Sequence, residues 1–261
     1  MRKRTGKKVF IGLLLVTLMI LPSCGKKEEA TTTEPDVISK KEYIGTTGRN
    51  TIRISPDGNV LEISIEDYSS VNYKEDELKK YIETEVNDYN QKIGVNKVSF
   101  RELKTEGNVV KVALSYSDLD TYAAFNGMDI SLTAYSAEKA DRVALEEAEQ
   151  NKADEKNTET PAISQAELLE AGYEPGELPK PEEPTEAEKV VKEEFTDASG
   201  GKVTSDKVPA GGNMMLKTSE RIAVELENGQ ILYTNHHATI QDGTAMTDGE
   251  GTAVIVLFLG I

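Results

Sequence analysis

The sequence contains one cysteine, two histidines and no tryptophan among its 261 residues. With a single cysteine, the chain has no intramolecular disulfide, so its stability must come from packing. The two histidines are the adjacent residues His236 and His237, and they supply all the imidazole available for metal binding or proton transfer. The absence of tryptophan also disfavours a cleft that stacks sugar rings.

Basic residues are too few for a nucleic-acid-binding protein. The chain has 30 Lys and Arg against 46 Asp and Glu, a formal net charge of −16. Binding to phosphates requires a basic surface, so this balance excludes nucleic acid as a partner. An anionic bilayer would also repel the domain, so any attachment to a membrane must come from acyl chains.

The first 23 residues have the pattern of an export signal. Five basic residues precede an apolar run of 13 residues at positions 9–21, which is shorter than the roughly 20 that a spanning helix needs. Removal of this segment takes the net charge from −16 to −21.

The end of this segment resembles the signal of bacterial lipoproteins. Leu21, Ser23 and Cys24 match the lipobox, whereas Pro22 departs from its usual residue. The resemblance implies cleavage after Ser23 and a diacylglyceryl thioether on Cys24, which leaves no free thiol. It predicts a lipid-anchored protein on the extracytoplasmic face of the cell membrane; plain secretion and an uncleaved anchor are the alternatives. Residues 24–48 are polar and are expected to form a flexible tether.

Alternating apolar residues predict two β-hairpins in residues 49–145. The first hairpin turns at residues 56–59, and its second strand places Leu61, Ile63 and Ile65 on one buried face, opposite Glu62 and Ser64. The second hairpin turns at residues 105–108.

Helices are predicted after each of these hairpins. Apolar spacings of three and four from Leu78 to Ile93 predict a helix that ends at Gly94. Ser117 or Asp118 is expected to cap a shorter one. Hairpins followed by helices predict an α+β fold: an antiparallel sheet with helices on one face.

The second half of the chain is divided by an acidic segment. Residues 146–194 contain 16 acidic and five basic residues and five of the nine prolines, which is typical of a disordered linker or insertion. We assign it to residues 146–195, with the helix from Ala137 extending into its start. Residues 196–261 are predicted to be β-rich and to pack with residues 49–145; two separate small domains are the alternative.

Several runs resemble a group of uncharacterised lipoproteins of Gram-positive anaerobes. The first is the run at residues 68–125, which contains residues 73–79 and 89–90 and ends in the stretch 120–126, and the others are residues 171–173 and 229–233. This resemblance implies an anchored extracytoplasmic domain and carries no known activity, so it assigns no catalytic residue.

No motif in the sequence predicts a catalytic or metal site. The nucleophile elbow and the phosphate-binding loop are both missing. Adjacent residues of a strand point to opposite faces, so His236 and His237 are expected to be structural or incidental, although a loop would bring them together. Acidic turns at residues 242–244 and 248–251, and the pair Asp118 and Asp120, offer oxygen ligands for calcium, but none matches the twelve-residue loop. We therefore predict no metal and no cofactor.

The sequence favours a non-catalytic binding or envelope-assembly domain, with an envelope protein as its expected partner. A small-ligand or solute-binding lipoprotein is the first alternative. The second is an enzyme acting on the cell wall, for which paired carboxylates cannot be selected without geometry.

Overall fold

The computed structural model describes residues 48–68, 74–158 and 191–260, and for residues 152–158 it describes the backbone alone. The predicted signal peptide, Ser23, Cys24 and most of the tether lie outside this part, as do residues 159–190 of the predicted linker. The described residues form three helices, α1 (Glu75–Ile93), α2 (Leu119–Asn126) and α3 (Ala137–Thr158), and a 3₁₀ turn at Ser205–Lys207. They also form strands β1 (Thr51–Ile54), β2 (Val60–Asp67), β3 (Val98–Glu106), β4 (Val109–Tyr116), β5 (Ile130–Ala134), β6 (Glu194–Asp197), β7 (Lys202–Thr204), β8 (Met214–Thr218), β9 (Ala223–Leu226), β10 (Gly229–Thr234), β11 (Ala238–Gln241), β12 (Thr244–Thr247) and β13 (Ala253–Leu259).

The strands form two sheets, and the predicted α+β class is confirmed. The first sheet has the order β11-β12-β9-β1-β2-β4-β3 and the second has the order β5-β8-β13-β10-β6-β7. All described pairs are antiparallel except β1 with β9, where Thr51 lies opposite Ala223 and Ile54 opposite Leu226. This parallel pair joins the N-terminal and C-terminal halves of the chain within one sheet.

Both predicted hairpins are present, and the two helices that follow them begin and end as local chemistry dictates. Three acidic residues occupy the first turn of α1, where their negative charges interact favourably with the positive end of the helix dipole. Gly94 ends α1 in the left-handed conformation, with φ 77°. Asp118 caps α2 by accepting a hydrogen bond from the Thr121 amide at 2.6 Å.

Two hydrophobic clusters cover the two faces of the central strand β13. Ile255 and Leu257 pack in a large cluster with residues of the first sheet, α1 and α2. Val254 and Val256 point the other way, into a smaller cluster that contains Val143 of α3. An apolar strand is stable here because both of its faces are covered.

The prediction of a single buried face for β2 is wrong, because Glu62 and Ser64 are buried as well as Leu61 and Ile63. Glu62 accepts hydrogen bonds from the Tyr116 hydroxyl, from Ser64 Oγ at 2.9 Å and from Asn126 Nδ2 at 3.4 Å. Burial raises the pKa of Glu62 against the opposing effect of these bonds. The carboxyl group remains in the core because its oxygens are bonded.

Ordered elements occupy both ends of the predicted linker. Helix α3 continues to Thr158, and β6 begins at Glu194. Within residues 48–68, 74–158 and 191–260, no helix combines the length and the apolar character required for a membrane span.

Candidate metal centre

His236 and His237 lie in a turn between β10 and β11 and not in a strand. Their ring centroids are 4.0 Å apart, and the rings are tilted by 43°. Because these residues are in a turn, their side chains do not alternate between two faces as they would in a strand. The turn brings the two rings to the same side, as a loop was expected to do. Both imidazoles consequently approach the same partner, Glu147 of α3.

Glu147 is the third potential ligand, and it was not found from the sequence. Its Oε1 lies 3.2 Å from His237 Nε2, and its Oε2 lies 3.8 Å from His236 Nε2. One ligand atom from each of these three residues falls within 4.8 Å of the others. Two ligands of a tetrahedral zinc ion lie roughly 3.3 Å apart when the bonds are about 2.0 to 2.1 Å long, and the two distances from the histidines to Glu147 are near this value.

Asp248 orients the His237 ring from its other side. His237 Nδ1 and Asp248 Oδ2 are 3.1 Å apart. Although burial opposes ionisation, hydrogen bonds from the Glu250 amide and from His237 lower the pKa of Asp248. A carboxylate that accepts the Nδ1 proton leaves the Nε2 lone pair free to bind a metal, as in carboxylate–histidine–zinc triads.

His237 therefore has a carboxylate at each ring nitrogen. When Nδ1–H is donated to Asp248, the lone pair of Nε2 faces Glu147 Oε1, and two acceptors at 3.2 Å repel each other. A cation between them removes the repulsion. A metal ion that takes both atoms as ligands satisfies this geometry.

The backbone around the cluster is held by Asn235, whose side chain is buried. Its Oδ1 accepts hydrogen bonds from Val254 N at 3.0 Å and His237 N at 3.3 Å, and its Nδ2 donates to Thr252 O at 2.9 Å. The Thr252 amide in turn donates to Glu147 Oε1 at 2.9 Å. The histidine turn, the start of β13 and α3 are thus connected through one set of hydrogen bonds.

The His237 ring fits against Gly251 because glycine has no side chain. A β-carbon at this position would lie 2.2 Å from His237 Nε2. Because any side chain at position 251 collides with the ring, glycine is required for this placement of the ligand atom.

A second buried carboxyl group, Glu193, lies beside the cluster. Its side chain is 3% exposed, and its Oε2 has no hydrogen-bond partner among the described residues. Burial, followed by the negative charge of Glu147, raises the pKa of Glu193 to about 7, although Asn235 opposes the shift. Glu193 thus adds a carboxyl that exchanges its proton near neutral pH.

The acidic groups singled out in the sequence have mostly local roles. Asp118 caps α2 and pairs with Lys97 Nζ at 3.0 Å, and Asp120 is exposed in the first turn of α2. Asp242 lies in the turn between β11 and β12 with φ 51°. Of this set, only Asp248 joins the histidines.

A signal for Glu147 was present in the sequence. Ala140, Val143 and Glu147 follow helical spacing, and the first two are buried under the second sheet. An acidic residue on the apolar face of a helix needs a partner. The sequence could not show that the partner lies 89 residues further along the chain.

The fold and this cluster define a mixed α+β domain with a candidate site for a divalent transition metal. Comparisons of the chain with protein-family models, with curated proteins and with solved structures found no match.

Proposed function

We propose that this chain is an exported, lipid-anchored protein that binds a divalent transition metal ion of the zinc type. The observation that carries the metal assignment is the placement of both imidazoles against the Glu147 carboxylate, with Asp248 on the far side of His237. The ligands come from α3 and from the β10–β11 turn, which the core holds in place.

The ligand types determine the class of metal. Zinc and its neighbours in the transition series accept imidazole nitrogen together with carboxylate oxygen, and three protein ligands leave a coordination position open. Calcium takes six to eight oxygen ligands. Two of the three groups in this cluster are nitrogen donors, so calcium is disfavoured.

The location outside the cytoplasm is supported by the leader sequence and by the lipobox residues Leu21, Ser23 and Cys24. The resemblance to anchored lipoproteins of Gram-positive anaerobes agrees with it. In this proposal the membrane is a partner through the lipid on Cys24, an envelope protein is a further partner, and nucleic acid is not one.

Metal binding is tested by calorimetric titration of zinc into the purified full chain in non-ionic detergent, after treatment with a chelator. We expect one zinc ion per chain. His237→Gln and Glu147→Gln remove ligands, whereas Glu146→Gln changes an exposed neighbour on the same helix and serves as the matched control. Zinc binding of equal strength in all four proteins would exclude the site, and so would the absence of zinc binding by the wild type.

Anchoring is tested separately by growth with a radioactive fatty acid. The wild-type chain is expected to incorporate the label and to fractionate with membranes, and Cys24→Ala is expected to lose the label. An unlabelled wild-type chain would refute the anchor and would leave the metal assignment untouched.

A further inference from the structure

A surface pocket of about 330 Å³ opens beside the histidine turn. Its wall includes charged and polar side chains of Arg49, Arg221, His236, His237, Asp248 and Glu250. Small-molecule sites begin at about 300 Å³, so this pocket has the size for a small solute. Two of the three candidate metal ligands, His236 and His237, line the pocket, whereas Glu147 does not.

In the described part of the chain, the two arginines of the pocket lack the ion pairs that Arg53 and Arg142 form. Arg53 pairs with Glu225 at 2.8 Å, and Arg142 pairs with Glu138 at 3.3 Å. Arg49 Nη1 donates to the Thr247 carbonyl oxygen at 3.4 Å. Within the described residues, neither Arg49 nor Arg221 forms an ion pair, although the chain has 46 acidic residues.

The two carboxylates of the pocket, Asp248 and Glu250, form no ion pair with either arginine among the described residues. Asp248 Oδ2 faces His237 Nδ1, and Asp248 Oδ1 accepts the Glu250 amide at 2.8 Å. Glu250 and Arg221 are both exposed, whereas Arg49 is half-buried. The donors of these two guanidinium groups are therefore available to a bound anion.

We propose that this pocket binds a small oxyanion, a phosphate or a short carboxylate, between Arg49 and Arg221. Guanidinium groups donate parallel hydrogen bonds that match the oxygen spacing of both ions. The net charge of −16 does not prevent this, because charges farther away than about 8 Å are screened at physiological salt. The inference goes beyond the proposed function, since it depends on the arginines and not on a bound metal.

The test uses the full chain in detergent, treated with a chelator, and titrates it with inorganic phosphate and, separately, with succinate. Phosphate binding alone identifies a phosphate site, and succinate binding alone identifies a carboxylate site. Arg221→Ala and Arg49→Ala are each expected to weaken binding by about 10- to 100-fold, because a charge-assisted hydrogen bond is lost. Arg142→Ala removes an arginine of α3 that does not line the pocket and is expected to leave binding unchanged.

The same proteins separate this proposal from the metal site. Arg221→Ala is expected to bind zinc like the wild type, and Glu147→Gln is expected to lose zinc while keeping the oxyanion. Failure of the wild type to bind either anion at millimolar concentration would overturn the proposal. So would oxyanion binding that needs zinc and survives Arg221→Ala, because the metal alone would then hold the anion.

Discussion

Two residues that bind no metal determine where the His237 ring lies. Gly251 contributes no side chain, and the ring comes within 2.2 Å of the position that a β-carbon would take. Asn235 contributes no ligand atom, yet its amide fixes the backbone that carries the ring. Neither residue belongs to a recognisable motif, and both are needed for the geometry.

Gly251→Ala is expected to weaken zinc binding by about 10- to 100-fold, the range seen when groups that orient a metal ligand are changed. The new methyl group would lie 2.2 Å from the present position of His237 Nε2 and would displace the ring. Calorimetric titration with zinc measures the effect. Gly211→Ala is the matched control, because a β-carbon there meets nothing within 4 Å. Equal affinities for the two variants would show that the ring is not held against Gly251.

Glu193 makes stability depend on pH in a defined direction. Its pKa is raised from the ordinary value of 4.5 to about 7, so the folded state favours the protonated form. The stabilisation from this group is complete below pH 4.5 and is lost as the pH rises to about 7.

Denaturant unfolding from pH 4 to 8, with a chelator present, measures this effect. The free energy of unfolding of the wild type should fall over that interval relative to that of Glu193→Gln, which has no titrating group at position 193. Glu194→Gln, an exposed neighbour, should follow the wild type. A constant difference between wild type and Glu193→Gln at every pH would contradict the assignment.

At the scale of single elements, local chemistry determines most of what is observed. The two hairpins, the end of α1 at Gly94 and the cap of α2 follow from turn residues, alternation and capping side chains. These interactions join residues close together in sequence, so a linear pattern is sufficient to predict them. Alternation predicts that the face of β2 with Glu62 is not buried, because a linear pattern cannot show that Tyr116, Ser64 and Asn126 bond a carboxyl inside the core.

The cap of α2 gives a prediction for this scale. Asp118→Ala is expected to lower the free energy of unfolding by about 1 kcal/mol, because the Thr121 amide loses its acceptor. The half-exposed ion pair with Lys97 adds little. Chemical denaturation measures the change, and Asp120→Ala, an exposed acidic residue of the same turn, is the control. A smaller effect of Asp118→Ala than of Asp120→Ala would be inconsistent with the cap.

For the whole molecule, the cluster connects distant parts of the chain. Glu147 lies on α3, which packs on one face of the second sheet, and the histidines lie between a strand of each sheet. A metal ion at this point would join the helix to both sheets. Binding to the folded state alone raises stability by mass action.

Zinc at 100 times its dissociation constant should stabilise the fold by about 2.7 kcal/mol. For a domain of this size, the melting temperature should rise by roughly 5 to 10 °C. Thermal unfolding followed by circular dichroism, with zinc and with a chelator, measures the increase. Glu147→Gln should show almost none of it, and Glu146→Gln should show all of it. An increase of equal size in Glu147→Gln would mean that zinc binds elsewhere.

The linear sequence determined the features that depend on near neighbours: the α+β class, the hairpins, the caps, and the acidic balance that argues against nucleic acid. Only the tertiary structure decided which residues meet. The parallel pairing of β1 with β9, the burial of Glu62, and the approach of Glu147 to His236 and His237 all bring together groups that are far apart in sequence. The physical reason is that such contacts depend on how helices and sheets pack around a shared core, and a local pattern contains no record of that packing.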